Sequence, residues 1–206
     1  MKKILIILVA LVLIFASCGG KDGDSVDPDA SKLVYTEINN GSEYEVTSSG
    51  FERGDTLNIP SEYNGKPVTV IGDRAFCGLQ FKNVVIPDSV IHIGTEAFSS
   101  CDNMESIETN ATSIGAAAFL GCKNLKSVTL KSGITHIAYS TFEDCQSLES
   151  IALPSTMTEI GNRAFFNCSA LKNIDLPLGV RSIGEQSFMY CGSIEALVIP
   201  QYLEIV

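Results

Sequence analysis

Apolar residues recur along this chain in a fixed order: Ile-Gly-x-x-Ala-Phe-x-x-Cys-x-x-Leu-x-x-Ile-x-Leu-Pro-x-x-Val. Six copies open at Ile71, Ile93, Ile114, Ile137, Ile160 and Ile183, with a period of 21 to 23 residues. A period of this length predicts a stacked solenoid rather than a globule around a central active site. Within a copy, Ala and Cys stand four residues apart, which predicts a short helical turn opened by the Gly. Leu, Ile and Leu follow at spacings of three and two, and the alternating last pair predicts a short strand. Pro closes that strand in most copies, because it can donate no ladder hydrogen bond. Each coil is thus expected to be a helical turn, a strand and a return segment, stacked on its neighbour at ~4.8 Å. The domain is mainly β.

Stacking in register turns equal positions into ladders. Phe76, Phe98, Phe119, Phe142, Phe165 and Phe188 make up six of the ten Phe in the chain and predict an aromatic spine in the core. Cys101, Cys122, Cys145, Cys168 and Cys191 form a second ladder, while Cys77 falls two residues early. Cβ atoms ~4.8 Å apart on parallel vectors lie outside the ~3.5–4.5 Å that a disulfide requires, so buried free thiols are expected. No C-x-x-C pair occurs, and no metal site is expected. Lys82, Glu105, Lys126, Glu149, Lys172 and Glu195 alternate in sign from coil to coil. A row that neutralises itself reads as a register device rather than a ligand site.

The outward strand positions form the row Val85, Glu108, Thr129, Ala152, Asp175 and Val198. Beside them run Asn83, Ser106, Ser127, Ser150, Asn173 and Ala196. The concave sheet is where solenoids usually bind. These residues are the candidate binding face, although they include no Trp, Tyr or Arg of the kind that dominates protein interfaces.

The N-terminus carries an address. Lys2 and Lys3 precede an uncharged apolar run from Ile4 to Phe15 and then Ala16-Ser17-Cys18, the layout of a secretory signal over residues 1–17. Twelve helical residues span about 18 Å, short of a ~30 Å hydrocarbon core. Phe15-Ala16-Ser17-Cys18 resembles a bacterial lipobox, which makes Cys18 the lipid anchor and the lipid the chain's contact with the membrane. Residues 18–32 hold Asp22, Asp24, Asp27 and Asp29 and almost nothing apolar, so they read as a flexible tether. Lys21-Asp22 resembles the short signals that send lipoproteins to the outer face of the outer membrane. Without the signal, 12 basic residues face 24 acidic ones, a net charge of −12. That balance argues against nucleic acid as a partner.

The segment Ile160-Gly161-Asn162-Arg163-Ala164-Phe165-Phe166-Asn167-Cys168, followed by Leu171, Ile174, Leu176 and Pro177, resembles the BspA-like leucine-rich repeats of bacterial surface proteins. The resemblance extends from residue 57 to 206. It implies a right-handed leucine-rich-repeat coil of six repeats and a cell-surface protein that binds extracellular or host proteins, adhesion included. The stretch from Leu57 to Val68 looks like the family's lead-in, which makes residues 33–70 an N-terminal β cap with Asn64-Gly65 as a hairpin turn. Residues 71–206 are then the solenoid. Ala138 departs from the repeat by replacing Gly. The second repeat lacks its Pro and two residues around Asn110-Ala111-Thr112, so an irregular coil is expected there.

Catalytic patterns are not expected. His92 and His136 each precede a repeat-opening Ile but lie two coils apart, ~10 Å, too far to share a metal. Glu108 and Asp175 are three coils apart, ~14 Å, beyond the ~5–9.5 Å of glycosidase carboxylates. No catalytic residue and no cofactor is assigned. Three classes of function remain: a surface module binding an extracellular or host protein, a carbohydrate-binding envelope accessory, and a self-assembling surface protein. The third rests on the last coil, where Tyr202, Leu203 and Ile205 could pack against a second copy as a homodimer. Asp55-Thr56-Leu57 and Asp88-Ser89-Val90 also resemble the O-glycan acceptor motifs of some bacterial lipoproteins.

Overall fold

Coil follows coil along a single axis. This computed structural model describes residues 33–48, 53–131, 133–201 and 203. The signal segment, the tether, Cys18, Tyr202 and Ile205 lie outside the described residues.

Parallel strands line two sides of the stack, each in two separate sheets. Strands of three to six residues form the first: β3 (Arg53–Asn58) pairs with β6 (Gln80–Val85), and β10 (Ser127–Leu130) pairs with both β8 (Ser106–Thr109) and β12 (Ser150–Ala152). Two-residue strands carry the second. β5 (Lys66–Ile71) leads through β7 (His92–Ile93) to β9 (Ser113–Ile114), and β11 (His136–Ile137) through β13 (Glu159–Ile160) to β14 (Ser182–Ile183). Each two-residue strand ends on a repeat-opening Ile that faces the core, and each is followed by the turn side of the coil.

The N-terminal residues cover the first coil with a hairpin. β1 (Leu33–Ile38) and β2 (Glu43–Ser48) are antiparallel, and β2 then pairs in parallel with β5. β4 (Glu62–Tyr63) turns back onto β5 through Asn64-Gly65, both at positive φ, as an Asn-Gly hairpin requires. Since β3 and β5 already lie in the two ladders, residues 53–71 trace the path of a coil before Ile71 begins the first full repeat.

The turn side is built from β-turns, not from helix; the one helical segment among the described residues is the 3-10 turn Asn39–Gly41. In the second repeat, Ala97 N donates to Gly94 O, Ser99 N to Glu96 O and Cys101 N to Phe98 O, a chain of three-residue closures. The alternate amides point forward: Glu96 N to Ala116 O, Phe98 N to Ala118 O and Ser100 N to Leu120 O in the next coil. A helix would spend those N–H groups within its own turn, whereas consecutive turns free them to bind the neighbour. The geometry needs a left-handed residue at two places per coil, and Arg74, Glu96, Ala117, Ser140, Arg163 and Gln186 occupy the first of them at φ 53° to 57°.

The glycine after each Ile therefore has a different task from opening a helix. A Cβ on Gly94 would lie 2.6 Å from Asp73 N, and one on Gly115 2.6 Å from Thr95 N. The coils approach too closely there for any side chain. Gly94 N donates to Ile71 O, Gly115 N to Ile93 O and Gly161 N to Ile137 O, all backwards along the stack. Ala138 carries the Cβ that these glycines lack, and the short-strand ladder is interrupted between β9 and β11, where its coil meets the one before.

The predicted spine is continuous. Successive Phe rings from Phe76 to Phe188 stack at centroid distances of 5.3 to 5.5 Å. The first five are fully buried, each worth roughly 1.5–3 kcal/mol of apolar burial. All five ladder cysteines are free and buried. Leu203 packs against the edge of the core, and its N–H donates to Pro200 O.

Candidate binding face

Alternation along the longer strands decides which side chains face out. In β8 and β10, Ile107 and Thr109 or Val128 and Leu130 point inward, leaving Ser106 and Glu108 or Ser127 and Thr129 exposed. The register places Ser127 between Ser106 and Ser150, and Thr129 between Glu108 and Ala152. Asn173 continues the first row through a bridge to Ser150. Asn83 and Val85 stand at the matching places of β6, opposite Thr56 and Asn58 of β3. Asp175 and Val198 are exposed as well, but lie beyond the last strand of the ladder. The exposed strand positions thus form two parallel rows of small and mostly polar side chains.

A charged row flanks it. Lys126 Nζ is 2.9 Å from Glu105, and Lys172 Nζ is 3.0 Å from Glu149. Four of the six alternating charges thus close into ion pairs between adjacent coils. The Lys126 ammonium holds the Glu105 carboxyl below its ordinary value, and Lys82 adds to this from the other side.

At the edge of the face, near the shortened second repeat, the surface opens into a cleft of about 210 Å³. Ala111 takes the buried place that Ile134 fills one coil later. The two missing residues leave room between the first and third coils. Val84, Val85 and Ile86 form one wall, and Asp88, Glu108, Asn110 and Lys131 surround the rest. Lys131 reaches back over the short coil, its Nζ 3.1 Å from Glu108 and 3.9 Å from Asp88. The Asn110 side-chain amide donates to the Asp88 carboxylate. Of this group, sequence reasoning placed only Val85 and Glu108 in the binding face. Repeat position alone sets Lys131 level with Asn110, one residue past the Leu130–Thr109 pair, and the missing pair of residues after Asn110 was the signal for the opening beside them.

Besides Tyr63 of the β4–β5 hairpin, the described residues expose aromatic surface on the turn side. Arg163 lies 3.7 Å above the Phe166 ring, and Tyr190 meets that ring edge-on at 5.2 Å. The guanidinium is fully engaged, by Glu143 through Nε and Nη2 and by Gln186 through Nη1 at 2.9 Å. This cluster ties three coils together.

The repeat signature of the BspA type leucine rich repeat region matches the chain in six copies, over residues 51–112 and 106–206. The chain belongs to this family. No curated protein matches it. Among solved structures, a leucine rich cell surface protein from Faecalibacterium prausnitzii A2-165 is 27% identical, with a TM-score of 0.61 over 84% of this chain and 54% of its own. A leucine-rich repeat protein from Bacteroides ovatus ATCC 8483 is also 27% identical, with a TM-score of 0.61 over 87% of this chain and 43% of its own. A leucine-rich repeat protein from Eubacterium ventriosum ATCC 27560 shares the fold at 19% identity and a TM-score of 0.69, over 87% of this chain and 50% of its own. This BspA-type chain therefore spans about half the length of these relatives.

Proposed function

We propose that this chain is a bacterial cell-surface module that captures an extracellular or host protein on the concave face of its solenoid, adhesion being the outcome. The observation that carries the reading is the in-register exposure of Ser106, Ser127 and Ser150 beside Glu108, Thr129 and Ala152. Small side chains along the strand ladder let a partner's backbone and side chains approach along several coils at once. The surface location rests on family membership, on similarity to the Faecalibacterium cell surface protein and on the signal-like N-terminus. In this reading Cys18 bears the lipid that holds the protein at the outer-membrane surface. Replacing Cys18 with Ala should then release it into the medium and abolish palmitate labelling.

The deciding experiment is capture of extracellular-matrix proteins and of polysaccharides by the immobilised chain. Saturable protein binding that Thr129→Arg and Asp175→Arg abolish supports the concave face. Binding to polysaccharide alone would favour an envelope accessory. Silence on both panels together with a concentration-dependent dimer, lost on Leu203→Glu, would favour self-association.

A further inference from the structure

We propose that the cleft beside the shortened second repeat receives a single basic side chain, Lys or Arg, from the captured protein. This rests on the concave-face reading and names the chemistry that one part of that face selects.

Size is the first argument. A volume of about 210 Å³ falls below the ~300–1,000 Å³ of small-molecule sites and fits one long side chain. Its walls divide in the way such a side chain does. Val85, 52% exposed, offers an apolar surface for an alkyl stem, beside the half-buried Val84 and Ile86 that pack against the core. Asp88 and Glu108 add two carboxylates to the lining. Lys and Arg lay their stems along apolar surface and keep the charged head among polar groups, which is this arrangement in mirror image.

Charge is the second argument. Asp88 and Glu108 together carry two negative charges, and Lys131 supplies one positive charge to both. Its ammonium sits close to Glu108 and only at the outer limit of an ion pair with Asp88, whose side chain is 82% exposed. Asn110 donates a neutral amide to Asp88 and adds no charge. One negative charge is thus left over at the mouth of the cleft, on the carboxylate that the chain's own cation serves least well. A second cation entering along Val85 meets Asp88 first and leaves the Lys131–Glu108 pair in place.

The field of the whole molecule acts in the same direction. The chain carries a formal net charge of −10, so a basic partner is drawn in and an acidic one is repelled. The opposite assignment, a partner carboxylate on Lys131, would have to approach two carboxylates and that net charge together.

The test uses the full chain in detergent with three capped amino acids as probes: Nα-acetyl-lysine, Nα-acetyl-arginine and Nα-acetyl-norleucine methylamides. The readout is the NMR shift of the Asn110 side-chain amide and of the backbone amides of Thr109 and Lys131. Saturable shifts with the lysine and arginine probes, with norleucine at least about tenfold weaker, are expected. The shifts should weaken about tenfold in the double variant Asp88→Asn, Glu108→Gln, and fall with added salt. Both residues are exposed, so the variant retains the fold. Equal shifts for norleucine, shifts unaffected by the double variant, or larger shifts with Nα-acetyl-glutamate methylamide would each overturn the proposal.

The two readings fail separately. If capture of a matrix protein is lost on Thr129→Arg yet untouched by the double variant, the concave face stands and the cleft inference falls. If no matrix protein is captured while the lysine probe still shifts Asn110, the cleft recognises a basic side chain and the adhesion reading falls.

Discussion

The thiol of Cys122 donates to the carbonyl oxygen of Phe98, 3.1 Å away in the preceding coil. The same bond joins Cys101 to Phe76, Cys145 to Phe119, Cys168 to Phe142 and Cys191 to Phe165, at 3.0 to 3.2 Å. Cysteine is thus a small apolar filler that also gives a carbonyl already accepting a backbone N–H its second hydrogen bond. Replacing Cys145 with Ala removes the sulfur's packing and its hydrogen bond together, and should cost about 1–2 kcal/mol in a urea titration. An unchanged midpoint would mean that the thiol contributes neither.

Burial makes the same ladder sensitive to alkali. It pushes the Cys122 thiol up from an ordinary value of 9.0 to about 12, and raises Cys101 and Cys145 as well. Between these values the unfolded chain has released the proton and the folded chain still holds it. Folding therefore loses stability as pH climbs from 9 towards 12, and is unaffected by this group below 9. Melting temperature measured over pH 8 to 11 should fall more steeply in the native protein than in Cys122→Ala.

Gly115 and Ala117 are two residues apart and should respond in opposite senses to exchanging glycine and alanine. Gly115→Ala would place a methyl 2.6 Å from Thr95 N and 2.7 Å from Gly94 C, forcing the coils apart at about 1–3 kcal/mol. Ala117 is already held at φ 54°, so Ala117→Gly should relieve strain and gain ~0.5–1 kcal/mol. Chemical denaturation of both variants checks the pair, and a loss in both would refute the left-handed assignment.

Lys126→Glu breaks the pair with Glu105 and gathers three acidic residues along the exposed row. The variant should melt slightly below the native protein at low salt and with it in 0.5 M NaCl, because screening at that ionic strength reaches within about 5 Å. A deficit that persists in high salt would point to packing by the lysine stem rather than to charge.

The Glu143–Arg163 pair is less exposed and should report on acid. The Arg163 hydrogen bonds hold the Glu143 carboxyl below its ordinary value of 4.5. Its contribution is full above 4.5 and is lost as pH falls through the lowered value. Arg163→Met should cost about a few degrees of melting temperature at pH 7 and much less at pH 3. An equal loss at both pH values would place the effect in the stacking on Phe166.

Much of this architecture was legible because a repeat specifies its own register. Once the coils stack, the positions of Phe119, Cys145 and the pairing of Lys126 with Glu105 follow from sequence spacing alone. The turn side was not legible. Its first left-handed position holds Arg74, Glu96, Ser140 and Gln186, and only Gly78 and Gly121 put at the second the glycine that advertises such a backbone, so the Ala-to-Cys spacing read as helix. What holds Arg74, Glu96 and Ser140 there is the bond each N–H makes to the next coil, a contact with no local signature. The outward rows were readable from alternation along the strands. The cleft was not, because it arises from two residues that are missing and a lysine one coil away.

The hydrogen bonds of the two sides run in opposite directions. Turn-side amides donate forward, as from Phe98 to Ala118, while the glycine amides of the short strands donate backward, as from Gly115 to Ile93. An α-helix aligns all its peptide dipoles and accumulates charge at its ends as it grows. Here the two senses offset each other within every coil, so adding a coil lengthens the stack without polarising it. A gene encoding this protein could therefore gain or lose whole repeats, and with them binding surface, with no electrostatic penalty that rises with length.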